Sequence, residues 1–235
     1  MIRRSLGLGA TLALTATATL FAHDDDPKVR DRIAPIEAPA YRSAAVEAEA
    51  GPALGTTFPA SGMSLLAWLP VAEFGGFSSA NDCWGYVSPS GREYAIIGFS
   101  GGTGFVDVSN PGAPDIIAVH PGESSLWRDV KTYQQYAYAV SEGGGGIQVL
   151  DLTTIDAGTV TLANTVTAGP SGTDSHNVAI DEESGFLYRC GGANTDGIRA
   201  YDLSYPTSPS FVGDWIVRYV HDAEVVSYTS GPYGG

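Results

Sequence analysis

Polar pairs recur along this chain just before runs of alternating apolar residues, and their spacing is nearly constant. The segments are NDCWGYV, WRDVKTY, SHNVAID and VHDAEVVSY, anchored at Asp82, Asp129, Asn177 and Asp222, which lie 47, 48 and 45 residues apart. Carboxylates and imidazoles are side chains that hold metal ions, bind ligands or transfer protons. The candidate ligand-binding residues are therefore Asp82, Arg128, Asp129, His176, Asn177, His221, Asp222 and Glu224.

Two imidazoles stand out within this set, because His176 and His221 each directly precede one of the recurring landmarks. Together with Asp129 and Asp222 they make a mixed nitrogen and oxygen set, which suits a divalent transition metal better than calcium. The sequence thus predicts a metal site formed by these four residues. Its affinity should weaken on acidification through about pH 6, since metal binding needs neutral imidazoles.

Three interpretations of the polar residues stay open at this point. In the first they tie neighbouring repeats together, with carboxylates accepting backbone N–H groups and Arg128 paired with an acid. In the second they bind a small molecule or a protein partner. In the third, a bound metal activates a water molecule for hydrolysis. No residue is assigned a catalytic role.

A second phrase recurs in phase with the first, as GFVDVSNPGAP, IQVLDLTTIDAG and RAYDLSYPTSP. Its central Asp107, Asp151 and Asp202 lie 44 and 51 residues apart. Proline in these phrases favours turns, and the Asp is expected to accept turn N–H groups. Periods of about 40 to 50 residues with strand-like content are typical of β-propellers. The predicted fold is all-β, a β-propeller of four-stranded meander blades with three full blades and parts of others.

Each full unit divides into four short strands rich in Val, Ile, Tyr and Phe. The predicted strands are 84–87, 93–99, 104–109 and 115–120, then 129–133, 136–141, 147–152 and 159–167, then 177–181, 186–190, 198–203 and 211–217. Residues 64–74 are expected to form an outer strand, and residues 222–228 the first strand of a further unit. In this fold the starts of the first strands share one face with the glycine-rich loops between second and third strands, so the candidate residues should gather there.

Composition and charge limit the function classes. The chain has 235 residues, of which 43% are hydrophobic and 16% charged, enough for one sizeable core. Its formal net charge of −14 argues against nucleic acid and against an anionic membrane surface as partners.

The N-terminus has the pattern of a Sec-type signal peptide over residues 1–22, with cleavage after Ala18 or Ala22. Residues 23–63 are predicted to be an extended leader or linker, and residues 64–235 to be the repeats. The protein is expected to be exported to the periplasm, the cell surface or the outside, with no transmembrane segment in the mature chain. In such an oxidising compartment Cys83 and Cys190 are candidates for a disulfide.

The repeats resemble a known bacterial family. NDCWGYVSPSGREYAIIGFSGGTGFVDVSNPGAP, SSLWRDVKTYQQYAYAVSE, GIQVLDLT, SHNVAIDEESGFLY and HDAEVVSYTSGP are similar to the choice-of-anchor B proteins, whose blades carry LVIVD repeats. The resemblance covers about residues 64 to 235 and implies an exported β-propeller without an established reaction. Members of the family continue past the SYTSGP segment with further blades, so the chain is expected to be truncated at its C-terminus.

Overall fold

The computed structural model describes residues 36, 38–43, 61–170, 172–192, 197–232 and 234. Over this part the chain is all-β, and three four-stranded antiparallel sheets follow one another, each with its strands in sequence order. Sheet 1 contains β3 (Ala80–Val87), β4 (Glu93–Phe99), β5 (Gly102–Asp107) and β6 (Asp115–Pro121). Sheet 2 contains β7 (Arg128–Tyr133), β8 (Tyr136–Ser141), β9 (Ile147–Asp151) and β10 (Thr161–Val166). Sheet 3 contains β11 (Asn177–Asp181), β12 (Phe186–Cys190), β13 (Ile198–Asp202) and β14 (Ser210–Trp215). The twelve predicted strands are confirmed, with bounds that differ by a few residues.

The repeated Asp ends the third strand of every sheet and has the same role each time. Its Oδ1 atom accepts the N–H group two residues further on, from Ser109, Thr153 and Ser204, at 2.9, 2.8 and 2.6 Å. This local bond replaces the ladder partner that the chain loses as it leaves the sheet. The prediction that these carboxylates serve the turns is confirmed.

The sheets pack face to face in chain order, and two apolar clusters fill the junctions between them. Ile96 and Phe105 of sheet 1 contact Val130 and Leu150 of sheet 2, and all four side chains are fully buried. The junction between sheets 2 and 3 is filled in the same manner by Tyr138, Val149, Val178, Leu187 and Tyr201. The first strands β3, β7 and β11 lie side by side along one edge of this stack. This arrangement is blade-like, and the described residues do not close a ring.

The outer face of sheet 1 is covered by a segment that differs from its prediction. Residues 64–74 were expected to form an outer strand, but only β2 (Ala67–Trp68) is extended, and it pairs with β1 (Tyr41–Arg42). After Pro70 the chain turns into a 3-10 helix, Val71–Phe74, whose Phe74 packs against Phe99. Part of the predicted leader therefore belongs to the fold.

The prediction of a strand at residues 222–228 is wrong, since this segment makes no ladder in the structure. It nevertheless lies beside β11. The Ser227 hydroxyl donates to both carboxylate oxygens of Asp181 at 3.0 and 3.1 Å, and the His221 ring contacts the His176 ring. A strand needs the N–H and C=O groups of a partner strand, and the described residues provide none here. Residues 222–228 thus lie where the first strand of a further unit is predicted, but they do not form a strand.

The predicted signal peptide, residues 1–22, and its cleavage sites lie outside the described residues. Among those described, no helix has the length and apolar character needed to cross a membrane.

Candidate functional site

The starts of the first strands and the loops beside them form one end of the stack, which we call the polar end. It comprises the segments 121–129, 142–146 and 172–177 together with the start of β3. Backbone hydrogen bonds hold these segments together. The Ser125 N–H donates to Ser100 O at 2.9 Å, and the Gly146 N–H donates to Thr173 O at 2.9 Å. The starts of the first strands and the neighbouring loops therefore share one end of the stack, as the sequence predicts.

Asp129 links all three sheets. Its Oδ2 atom accepts the Val178 N–H from sheet 3 at 2.7 Å, and its Oδ1 atom accepts the Lys131 ammonium at 2.6 Å. Lys131 also reaches Asp82 of sheet 1 at 3.3 Å, and its ammonium lies 4.6 Å from the centre of the Trp84 ring. Asp82 and Asp129, two of the predicted ligand-binding residues, thus act as ties between sheets.

The two carboxylates of this group have opposite pKa shifts. Burial, the main cause, and the neighbouring Asp82 carboxylate raise the pKa of Asp129, while the Lys131 ammonium opposes the rise. The pKa of Asp82 is lowered, because a hydrogen bond with Asp129 and the charge of Lys131 outweigh its own burial. Asp129 is therefore the weaker acid of the two, because it is the more buried.

His176 and His221 come together as predicted, with ring centroids 4.1 Å apart. The Nδ1 atom of His176 is 2.7 Å from Oε1 of Glu142, and the Trp127 ring lies 5.4 Å from the His176 ring. His176 is buried and His221 is exposed. The pair forms an aromatic and acidic corner at the polar end.

The predicted four-ligand metal site is not assembled. Asp129 is committed to Lys131 and to backbone N–H groups, and Asp222 Oδ1 accepts the N–H of Ala223 at 2.7 Å. Over the described part of the chain, no three His, Cys, Asp or Glu side chains are grouped so as to hold a metal ion. Equally spaced residues lie at the same level of the stack. The side chains of the four predicted ligands nevertheless do not converge on one point.

Arg128 has 1% of its surface exposed, and no acid among the described residues forms the ion pair with it that one interpretation expected. Its Nε atom donates to Phe99 O at 3.0 Å, and its Nη2 atom donates to Glu123 O at 2.6 Å. A third, longer bond of 3.4 Å joins Nη1 to Oε1 of Gln148. Burial lowers the pKa of Arg128, and the Glu123 carboxylate raises it. The guanidinium thus fixes the connection between sheets 1 and 2 through neutral acceptors.

A cavity of about 370 Å³ opens beside Arg128. Its walls come from the connection at Pro121–Glu123, from the ends of β7 to β10, and from Gly144, Gly145 and Gly146. Ser141, Gln148 and Thr165 add polar groups to the lining. Ligand sites in proteins have volumes of about 300 to 1,000 Å³, so this cavity is large enough for a small molecule.

The remaining candidates lie apart from the cavity. Asn177 begins β11 opposite Cys190, and Asp222 and Glu224 are exposed on the segment after β14. Four residues of the polar end were not predicted as candidates from the sequence: Glu123, Lys131, Glu142 and Gln148. Lys131 could have been predicted from the sequence, because it lies two residues after Asp129 and residues two apart in a strand share a face. Glu142 and Glu123 could not, since loop geometry alone places them.

The predicted disulfide between Cys83 and Cys190 is not formed. Both thiols are free, with Cys83 exposed on β3 and Cys190 buried at the end of β12 in a different sheet. Burial raises the pKa of Cys190 to about 12, with smaller contributions from the Asp222 and Asp129 carboxylates.

Thiol titration should separate the two cysteines. A thiolate is the reactive form, so we expect one fast-reacting thiol per native chain at pH 8, that of Cys83, and two after unfolding. Cys83→Ser should remove the fast reaction altogether. Two fast thiols in the native protein, or none, would contradict this placement.

No family model matches the chain, and no curated protein matches it. The polar end has to be interpreted from its own geometry. That geometry comprises a set of ties between sheets, an aromatic and acidic corner, and a cavity with a buried guanidinium.

Proposed function

We propose that this protein is an exported β-propeller scaffold that binds a ligand or partner at its polar end, outside the cytoplasm or at the cell surface. The four-stranded sheets would be blades of an LVIVD-type propeller. The resemblance of the repeats to choice-of-anchor B proteins supports this assignment. The acidic net charge of −14 suits a soluble exported protein.

The observation that carries the proposal is the cavity of about 370 Å³ beside Arg128. A structural role in connecting the sheets explains the contacts of Asp82 and Asp129. It does not explain the cavity. A cleft of this volume is large enough for a small molecule, and its lining offers a ligand the guanidinium of Arg128, the Gln148 amide and the Thr165 hydroxyl. The loop Gly144–Gly146 lets the backbone form one wall without side chains.

Metal-dependent hydrolysis, the alternative considered from the sequence, gains no support from this geometry. It needs at least three ligands around one ion, and the described residues bring together only the two imidazoles with Glu142 bound to one of them. We therefore propose binding without catalysis.

Export is tested by the N-terminus of the mature chain. When the full chain is produced in a bacterial host, mass spectrometry of the exported protein should give a first residue of Thr19 or His23, after cleavage following Ala18 or Ala22. Accumulation of uncleaved chain in the cytoplasm of a host with a working Sec pathway would contradict export.

Binding at the polar end is tested by an amide NMR map during a screen of small metabolites. Glycine amides are convenient reporters because they lie at both ends of the stack. We expect ligand-induced shifts at Gly122, Gly144 and Gly145, and none at Gly91 and Gly185 in the turns at the opposite end. Shifts confined to the opposite end, or no shifts with any compound, would overturn the proposal.

A further inference from the structure

The cavity beside Arg128 lies next to sheet 2, and all three sheets have the same strand register at this level. Each second strand pairs with the third strand three residues before the repeated Asp, through Ile97 with Gly104, Ala139 with Gln148, and Arg189 with Arg199. These pairs occupy equivalent places on the three sheets.

Large side chains fill this place in sheets 1 and 3. In sheet 1, rings of Phe74 and Phe99 close over Gly104, where an added Cβ would lie 3.1 and 2.7 Å from them. In sheet 3, the guanidinium groups of Arg189 and Arg199 occupy it, and both residues are fully buried. Sheet 2 has the small Ala139 and the uncharged Gln148 instead, and the space next to them is the cavity.

The Arg128 guanidinium lines this cavity, and the Glu123 carboxylate acts on it only through its charge. Among the described residues no carboxylate lies within 4.0 Å of the Arg128 guanidinium, which bonds only to two backbone carbonyls and to the Gln148 amide. A guanidinium has five N–H donors, so two remain without an acceptor in the described part of the chain. Buried charges in proteins are normally paired, and a carboxylate matches a guanidinium in shape as well as charge.

The rim limits which anions fit. The exposed Glu123 also lines the cavity, and the chain as a whole carries a net charge of −14. Both disfavour anions with two or more charges, such as phosphate at neutral pH. They favour a ligand with one carboxylate whose other end bears hydroxyl or ammonium groups, which the Glu123 carboxylate and the Gln148 and Thr165 side chains can bond.

We propose that the cavity between sheets 1 and 2 binds a small organic monocarboxylate, a hydroxy acid or an amino acid, through the guanidinium of Arg128. This inference rests on the proposed binding function and names the ligand class for it. Gly122 packs directly against the guanidinium, since a Cβ there would lie 2.6 Å from Nη1 of Arg128.

The test measures binding of acetate, glycine and inorganic phosphate to the full chain by calorimetry and by thermal shift, at constant ionic strength with chloride as the reference anion. We expect acetate and glycine to bind and to raise the melting temperature above the chloride reference, and phosphate not to. No response to acetate or glycine beyond that of chloride would overturn the proposal.

Gln148→Glu places a carboxylate next to the guanidinium within the protein itself. It should weaken acetate and glycine binding at least tenfold, whereas Thr161→Glu, which adds the same charge at an exposed position of β10, should leave binding within twofold. Equal binding by the Gln148→Glu variant and the wild type would contradict the role of Arg128.

A second variant keeps the test valid if Gln148→Glu does not fold. Glu123→Gln removes the rim carboxylate, while the backbone oxygen that Arg128 needs is unchanged. It should keep acetate binding and gain phosphate binding, and failure to gain phosphate binding would overturn the selectivity for monocarboxylates. If acetate and glycine do not bind but a metabolite screen still shifts the Gly122 and Gly145 amides, the ligand class is wrong and the proposed binding function stands.

Discussion

Replacing Asp129 by Ala should lower the free energy of unfolding by about 3 to 5 kcal/mol, the cost of breaking a buried ion pair by removing one partner. The change removes the acceptor of the Val178 N–H at 2.7 Å and leaves the Lys131 ammonium without its nearest carboxylate. Val178 is fully buried, so its N–H cannot turn to water instead. Urea unfolding at pH 7 measures the loss from the shift in midpoint at constant slope.

Asp222→Ala is the matched control, since Asp222 stands at the same landmark two repeats later. It is exposed, and it accepts the N–H of Ala223 within its own loop, so its loss should stay within about 1 kcal/mol. Equal losses from the two variants would show that Asp129 does not tie the sheets together.

The second large effect is expected at Gly146, the last residue of the glycine-rich loop before β9. Its φ of +75° is in the left-handed region, and a Cβ at this position would overlap the carbonyl oxygen of Val166 on β10. Gly146→Ala should therefore cost about 1 to 2 kcal/mol for the backbone conformation and about 1 to 3 kcal/mol more for the overlap. Thermal and urea unfolding both report this loss.

Gly158→Ala separates the two contributions. Gly158 has nearly the same φ, +78°, but a Cβ there would meet no atom within 4 Å. It should show the conformational cost alone. If Gly146→Ala is no more destabilising than Gly158→Ala, then the close approach of β10 to Gly146 is not a constraint on the fold.

The strand pattern was predictable because the repeats combine two independent signals. Alternating apolar residues mark the strands, and the Asp and Pro phrases mark the turns after the third strand of each sheet. The spacing of the polar landmarks reappears in the bonds between sheets, where Trp84 Nε1 donates to Thr132 Oγ1 over 48 residues and Asp129 accepts from Val178 over 49. Residues separated by one period of the sequence are therefore neighbours in successive sheets.

The segment 222–228 shows where periodicity is insufficient. It carries the landmark and stays beside β11 through Ser227 and His221. Strand formation also depends on a hydrogen-bonding partner, which a pattern within the segment does not encode. The same reasoning applies to residues 64–74, where the strand is limited to Ala67–Trp68 and a 3-10 helix follows Pro70.

Several candidate residues lie at the end of the sheets where they were predicted, but some of them have other contacts than predicted. His176 and His221 meet as expected, whereas Asp129 turns to Lys131 and to a backbone N–H. The role of Arg128 depended on where the carbonyls of Phe99 and Glu123 lie, and the cavity depended on which side chains are small at the equivalent positions of three sheets. Such facts require the strand register, which the sequence alone does not provide.

The most direct test of a ligand-binding cavity at Arg128 is the side-chain NMR signal of its guanidinium during titration with acetate. Arg128 is assigned by comparison with Arg128→Lys, and its signal is distinct because the group is buried and bonded to Phe99 O. We predict that acetate shifts this signal in a saturable way, and that chloride at equal ionic strength does not. An Arg128 signal that stays unchanged while exposed Arg and Lys signals shift with acetate would contradict the account.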